Sequence, residues 1–477
     1  MEENTKKLEN EKIGKLLMEL SLPAIAAMLI QALYNFVDTI YIARGVGTLG
    51  IAGVSVAFPI QMIIMAFGGM IGIGGGTLIS RSLGAKDVKR AEKALGNIFS
   101  TIFVLSISLT ILGTIFLDPI LILFGATPDI LSYSEDYMSV ILYGAMFFSI
   151  AMAGHNVMRA EGNAKYAMIS MIIPGILNII LDPIFIFGLN MGVKGAAVAT
   201  VLSQFVGVVY IGYYFFSGKS SLKFHTKNFI LDRHIMSETL AVGSSAFVRQ
   251  VAGSLLAIVL NNLLGTYGSS LHIAIFGVIN RLFMFFFMPM FGIAQGFLPI
   301  AGYNYGAKRF DRVKEVLKRA AIAAIIWSTV SFVLVQLFPS FLLSIFSTDP
   351  SLINEGITAL RIDAMFIWIV GFQVVGSSLF QAIGRAGPAL LLSISRQILI
   401  FIPMVFVMSH FFGLMGIWYT FPISDVLSVL LTLFFVIREI KILNSLQKKQ
   451  IQIIYKRNEI EESYMPEDKH EYQPQEK

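Results

Sequence analysis

The sequence predicts an all-α integral membrane protein of twelve transmembrane helices, arranged as two pseudo-symmetric six-helix bundles. Three observations carry that expectation. The 477 residues are 56% hydrophobic and only 14% charged, too apolar for a soluble chain of this length. The apolar residues gather into runs of roughly twenty or more, the length that crosses a ~30 Å hydrocarbon layer. Landmarks of the first half of the chain also recur about 222 residues later.

Taken in order, the first run, at about 16–43, follows a segment holding Lys6, Lys7, Lys12 and Lys15. It is too long for a signal-peptide core and reads as a retained helix. Runs at about 52–80, 94–116, 135–158, 164–187 and 194–216 complete a first half. After a polar connection come runs at 236–263, 271–299, 316–338, 355–380, 387–409 and 413–437. Pro23, Pro59, Pro174, Pro289 and Pro403 lie inside these runs without vetoing helix, because bundled neighbours can satisfy the freed backbone groups. The expected division is an N-terminal segment 1–15, a first lobe 16–216, a linker 217–235, a second lobe 236–440 and a polar tail 441–477. The end of that tail, Glu459 to Asp468, is expected to be disordered.

The basic residues follow the same division. Alternate connections hold Arg81 to Lys93, Arg159 and Lys165, Lys219 to Arg233, Lys308 to Lys314, Arg385 and the tail, whereas the opposite ones hold only Arg44 and Lys194. By the positive-inside bias both termini are cytoplasmic and the chain is multi-pass in the plasma (inner) membrane. The +6 formal charge is thereby accounted for by orientation, and no nucleic-acid partner is expected. Ser82-Leu-Gly84-Ala85-Lys86 matches Asn304-Tyr-Gly306-Ala307-Lys308, and Ala160-Glu-Gly162-Asn-Ala164 matches Ala382-Ile-Gly384-Arg-Ala386. Gly192-Val-Lys-Gly195 matches Gly413-Leu-Met-Gly416, and Pro119 matches Pro339. A near-constant offset at four sites marks a duplicated six-helix unit. Six being even, the copies are parallel, and a cavity between them suits alternating access.

Within this frame an intramembrane carboxylate costs about 2.5–3.5 kcal/mol on insertion scales and marks function by default. Asp182 lies in the run Pro174-Gly-Ile-Leu-Asn178-Ile-Ile-Leu-Asp182-Pro183. Asp38, six residues before Arg44, sits at a similar depth, about 9 Å below the rim at 1.5 Å per residue. Asn178 is four residues before Asp182 and so on the same helical face, and Thr200 on the returning helix reaches the same level. Such a layer can bind a proton or hold Na+ on oxygen ligands. The aligned positions in the second half are apolar, near Ile258 and Ile402. That half carries Arg249, Arg281 and Arg396 instead, with Asp363 and Asp425 as candidate partners.

The candidate substrate cavity comprises His155, a proton relay or a packing histidine, Arg249, which could bias the cavity toward anionic groups, and Met284, Phe287 and Met288. The last three belong to Phe283-Met-Phe-Phe-Phe-Met-Pro-Met-Phe291, a soft aromatic stretch suited to varied apolar ligands or to lipid. With no cysteine there is no thiolate chemistry. There is also no phosphate-binding Gly-x-x-x-x-Gly-Lys-Ser/Thr loop, so energy must come from an ion gradient or a partner. No catalytic residue and no cofactor are expected, only H+ or Na+ as coupling ion.

Ser21-Leu-Pro23 opening the first helix, Ser80-Arg-Ser-Leu-Gly84-Ala-Lys after the second, and Leu177-Asn178-Ile-Ile-Leu-Asp182-Pro183 together resemble the multidrug and toxic compound extrusion (MATE) transporters, in particular the prokaryotic branch with acidic residues in the first lobe. The resemblance covers about residues 12–440. It implies an antiporter exporting organic, amphipathic and often cationic small molecules, xenobiotics among them, in exchange for H+ or Na+, with Asp38, Asn178, Asp182 and Thr200 as the cation site. A monomer in the lipid bilayer is expected. Two alternatives stay open: a lipid-linked precursor flippase of similar architecture, and an intramembrane Mg-dependent transferase.

Overall fold

A computed structural model of the chain describes residues 7–463, with side chains to residue 453. Long helices dominate because the runs are apolar on all sides and, in lipid, a helix satisfies its own backbone groups. The first half comprises α1 (Ile13–Gly45), α2 (Thr48–Gly84), α3 (Val88–Ile115), the short α4 (Leu117–Leu123), α5 (Pro128–Tyr143), α6 (Ala145–Ala160), α7 (Ala164–Pro183) and α8 (Gly192–Phe216). The second comprises α9 (Arg233–Tyr267), α10 (Ser270–Gly306), α11 (Phe310–Leu337), the short α12 (Pro339–Ser344), α13 (Pro350–Asp363), α14 (Ile367–Ala382), α15 (Ala386–Ile394) and α16 (Ile402–Ser463).

The expected twelve spans are present, two of them in a form that hydropathy does not reveal. The fourth is broken into α5 and α6, bent by 53° at Gly144, where a Cβ would come within 2.4 Å of Val201. The tenth is interrupted by a 3-10 turn at Ala364–Phe366 between α13 and α14. These breaks fall about 222 residues apart, so they belong to the repeat. Conversely α16 is two spans: Gly413, at φ 55°, ψ −137°, turns the chain between them.

The repeat landmarks are turn positions. Gly162 and Gly384 have φ of 86° and 79°, Gly192 and Gly413 have 56° and 55°, and Lys86 and Lys308 have 60° and 57°. A left-handed backbone favours glycine at the first two pairs. This explains why these sites, rather than the helices between them, carry the visible duplication.

The halves pack through α1 and α2 against α9 and α10, in the part of the bundle nearer the Lys/Arg-rich connections, the basic end. Small residues bring backbones into contact there. A Cβ on Gly74 would lie 2.0 Å from the Thr239 carbonyl, on Gly243 1.9 Å from that of Met70, on Gly84 1.9 Å from that of Tyr303, and on Gly306 2.0 Å from that of Arg81. The seam reaches mid-depth at Phe67 against Phe247, with centroids 4.8 Å apart.

Charge closes the basic end over this seam. Glu238 of α9 accepts from Arg81 Nη2 at 2.8 Å and Arg90 Nη2 at 2.6 Å, and Asp232 pairs with Lys93 at 2.5 Å. The connection after α8 is pinned by Glu161, fully buried, whose carboxylate accepts from Tyr214 Oη (2.9 Å), Ser220 Oγ (2.8 Å) and the Ser221 backbone N–H (2.7 Å). Burial pushes this carboxyl up to about 7, against the opposing pull of those hydrogen bonds.

The tail departs from expectation. The helix continues past Lys441 to Ser463, so the stretch Glu459–Ser463, expected to be disordered, is helical. Leu443 is fully buried with Ile440 and Leu446 packed beside it, and Lys314 donates to Asn444 (2.7 Å) and Gln447 (2.8 Å). A recurring apolar stripe inside a polar sequence is what holds the helix on. Residues 464–477 lie outside the described part.

Candidate functional site

The acidic layer assembles on α1, α7 and α8, in the half of the bundle away from the basic end. Two features of α7 shape its approach to its neighbours. Pro174 removes the hydrogen bond to the Ser170 carbonyl and packs against Gly207 of α8, where a Cβ would lie 2.6 Å from the proline ring. Gly175 admits Tyr34 of α1, whose ring would sit 3.3 Å from a Cβ there. Past Pro183 the helix widens into a π-helical segment, Ile184–Gly188, a distortion frequent at functional sites.

Asp182 is fully buried, Asn178 2% exposed and Thr200 6% exposed, while Asp38 is partly exposed. Asn178 Nδ2 donates to Asp182 Oδ1 at 3.1 Å and to Thr200 Oγ1 at 3.2 Å. The Thr200 hydroxyl donates to the Ala196 carbonyl at 2.9 Å, which leaves its lone pairs toward the layer. The Asp38 and Asp182 carboxyl groups approach within side-chain hydrogen-bonding reach of each other. Three buried oxygens lack a partner: Asp38 Oδ1, Asp182 Oδ2 and Asn178 Oδ1. Buried acceptors are normally satisfied, so three in one layer form a ready set of ligands for a cation.

Tyr34 and Tyr137 flank the two carboxyls, and neither is singled out by the sequence reading. Tyr34 is four residues before Asp38, on the same helical face, so the spacing that finds Asn178 could have found it too. Tyr137 is on the broken fourth helix and has no local signal.

The second-lobe residues settle differently. Arg396 Nε pairs with Asp425 Oδ1 at 2.6 Å beside the buried Asp363, and its guanidinium stands 5.2 Å over the Phe287 ring. Phe287 belongs to a ladder with Phe283 and Phe291 at 6.0 and 6.3 Å, and Arg249 lies 5.8 Å over Phe291 at its far end. Among the described residues Arg249 and Arg281 have no carboxylate within salt-bridge distance. Met288 is 9% exposed and Met284 55% exposed, one inside the packing and one outside it.

His155 sits in the first half instead, buried on α6, within reach of the Ser170 backbone that Pro174 leaves free. Of the five candidates, Phe287 touches Arg396 on one side and, through Phe291, Arg249 on the other, while His155 belongs to α6 of the first half.

Removing the base from the Arg396–Asp425 pair leaves a buried charge uncompensated, at a cost of about 3–5 kcal/mol. Arg396→Leu should therefore lower the thermal unfolding midpoint of the purified protein, and adding Asp425→Leu should restore most of the loss. An Arg396→Leu variant as stable as the parent would show that the pair is not structural.

Four likenesses stand beside this geometry. A family model described as MatE matches residues 23–184 and again 246–407. The multidrug export protein MepA of Staphylococcus haemolyticus (strain JCSC1435) is 29% identical over 429 residues, 90% of this chain and 94% of that protein. A solved structure of the MATE multidrug transporter DinF-BH has TM-score 0.84 at 44% identity, covering 90% of this chain and 97% of that one. The outward-facing conformation of a multidrug resistance MATE family transporter of the MOP superfamily gives 0.87 at 27% identity, with 93% and 99% covered. Two matched blocks that together span more than half of a twelve-helix membrane chain establish that it belongs to the MATE family, and that it is a transporter rather than an enzyme.

Proposed function

We propose that the chain is a proton-coupled antiporter that exports amphipathic organic cations by alternating access. The observation that carries the coupling is the contact between Asp38 and Asp182. Two carboxyl groups within hydrogen-bonding reach are placed to share one proton, and Asn178 and Thr200 hold the geometry. The similarity to proteins named for multidrug export supports the substrate class. The basic connections support cytoplasmic termini in the plasma membrane, with the seam closing the cytoplasmic side. The four site residues come from one chain, so a monomer suffices.

A cation that binds this pair better in one conformation than in the other shifts the equilibrium between them by that difference in affinity, and no more. Occupied by a proton, the layer favours the conformation that has released substrate. The driving ion is then given up on the other side.

Transport of ethidium into proteoliposomes, with proton and sodium gradients imposed separately, tests this reading. A proton gradient alone should drive accumulation against the dye's own gradient. Sodium alone driving it would move the same oxygens to Na+ coordination, and movement under neither gradient would overturn the antiport.

A further inference from the structure

Arg159 counts among the loop bases by its position at the end of an apolar run, yet it is 8% exposed. Its guanidinium touches only neutral groups: Nη2 donates to Asn156 Oδ1 at 3.2 Å and Nη1 lies 3.9 Å from Met171 Sδ. Nε has no partner. Among the described residues no carboxylate stands within salt-bridge distance of it. A guanidinium offers five N–H donors in a planar fork, and a buried one without an anion is costly.

It lines a small cavity at the seam, about 20 Å³, with Thr77 and Ser80 of α2, Asn156 of α6, and Gln295 and Pro299 of α10. That volume suits a single water, not an organic anion. The walls, however, belong to different halves. On the alternating-access reading, parting of the halves at the basic end would withdraw the α10 wall and uncover the guanidinium.

We propose that Arg159 anchors an oxyanion site, taking a carboxylate or phosphate group from the basic end of the bundle when the halves part, and losing it when they close. The planar fork matches such groups two oxygens at a time, with Gln295 and the Thr77 and Ser80 hydroxyls as further polar contacts. Closure of the seam then expels the anion, so the site alternates with the conformation. The proposal rests on the moving halves of the alternating-access reading, but not on its coupling ion.

The test follows the thermal unfolding midpoint of the purified full chain at constant ionic strength. In one arm inorganic phosphate or acetate replaces chloride; in the other phosphatidylglycerol replaces phosphatidylcholine in mixed micelles. A ligand that binds only the folded chain raises the midpoint as its concentration passes the dissociation constant. At least one arm should raise it for the parent protein and for Arg159→Lys, and neither should for Arg159→Gln. A response to phosphate or acetate identifies a soluble anion, and a response to phosphatidylglycerol alone a lipid headgroup. Gln295→Glu, which sets a carboxylate against the guanidinium, should raise the midpoint without ligand and abolish the response, and it carries the test should Arg159→Gln not fold. An unmoved parent in both arms, or a response in Arg159→Gln or Gln295→Glu equal to the parent's, overturns the site. Neither arm uses an ion gradient, so the site can fail while the antiport stands.

Discussion

Asp182→Asn should sharply lower gradient-driven export while leaving the protein folded and able to bind dye. The substitution is nearly isosteric, and the new side chain keeps an oxygen to accept the 3.1 Å hydrogen bond from Asn178. What it removes is the titratable half of the Asp38–Asp182 contact. Coupling between two sites is typically about 1–3 kcal/mol, a factor of about 5–150, and the transport rate under an imposed gradient should fall by a factor in that range. Dye binding measured by fluorescence polarisation should persist but lose most of its dependence on pH, because the proton held with Asp182 is what links the two binding equilibria. Undiminished uphill export by Asp182→Asn would remove it from the coupling mechanism.

The second large effect is expected at the seam. A leucine at 243 cannot be accommodated by a side-chain shift, because its Cβ alone would stand 1.9 Å from the Met70 carbonyl, a backbone atom, and 2.7 Å from the carbon of the same group. The halves must separate at the basic end, so Gly243→Leu should lose export and become open there. The chain has no cysteine, which makes a single introduced thiol a clean reporter. Thr77→Cys, at a site 4% exposed in the closed seam, should react slowly with a membrane-impermeant maleimide in the parent background and much faster with Gly243→Leu. Equal labelling in the two backgrounds would mean that glycine at 243 is not what lets the seam close.

How much of this was legible follows from what is local. The twelve spans were visible because each is a run of apolar residues, and the duplication was visible because three of its four landmarks hold a left-handed turn and the fourth a proline in a short helix. Asn178 and Asp182 could be placed on one face by their spacing, and Thr200 by counting depth from the rim. The breaks at Gly144 and at Ala364–Phe366 interrupt apolar runs without interrupting apolar composition, so hydropathy passed over them. Arg159 marks the end of such a run, which looks like a loop from the sequence; its burial comes from α2 and α10 folding over it. The candidates on α10 separated for a related reason. A helix apolar on every side carries little record of which side faces in, and Met284 and Met288, one turn apart, end up on opposite terms with solvent.

The account turns on Asp38 and Asp182 holding the coupling ion that substrate displaces. The most direct measurement is proton release when ethidium is added to the purified protein in lightly buffered, sodium-free detergent solution. The pair sharing a proton predicts release of about one proton per dye bound from the parent protein and none from the Asp38→Asn, Asp182→Asn double variant. Dye binding with no proton released, or the same release from the double variant, would contradict it.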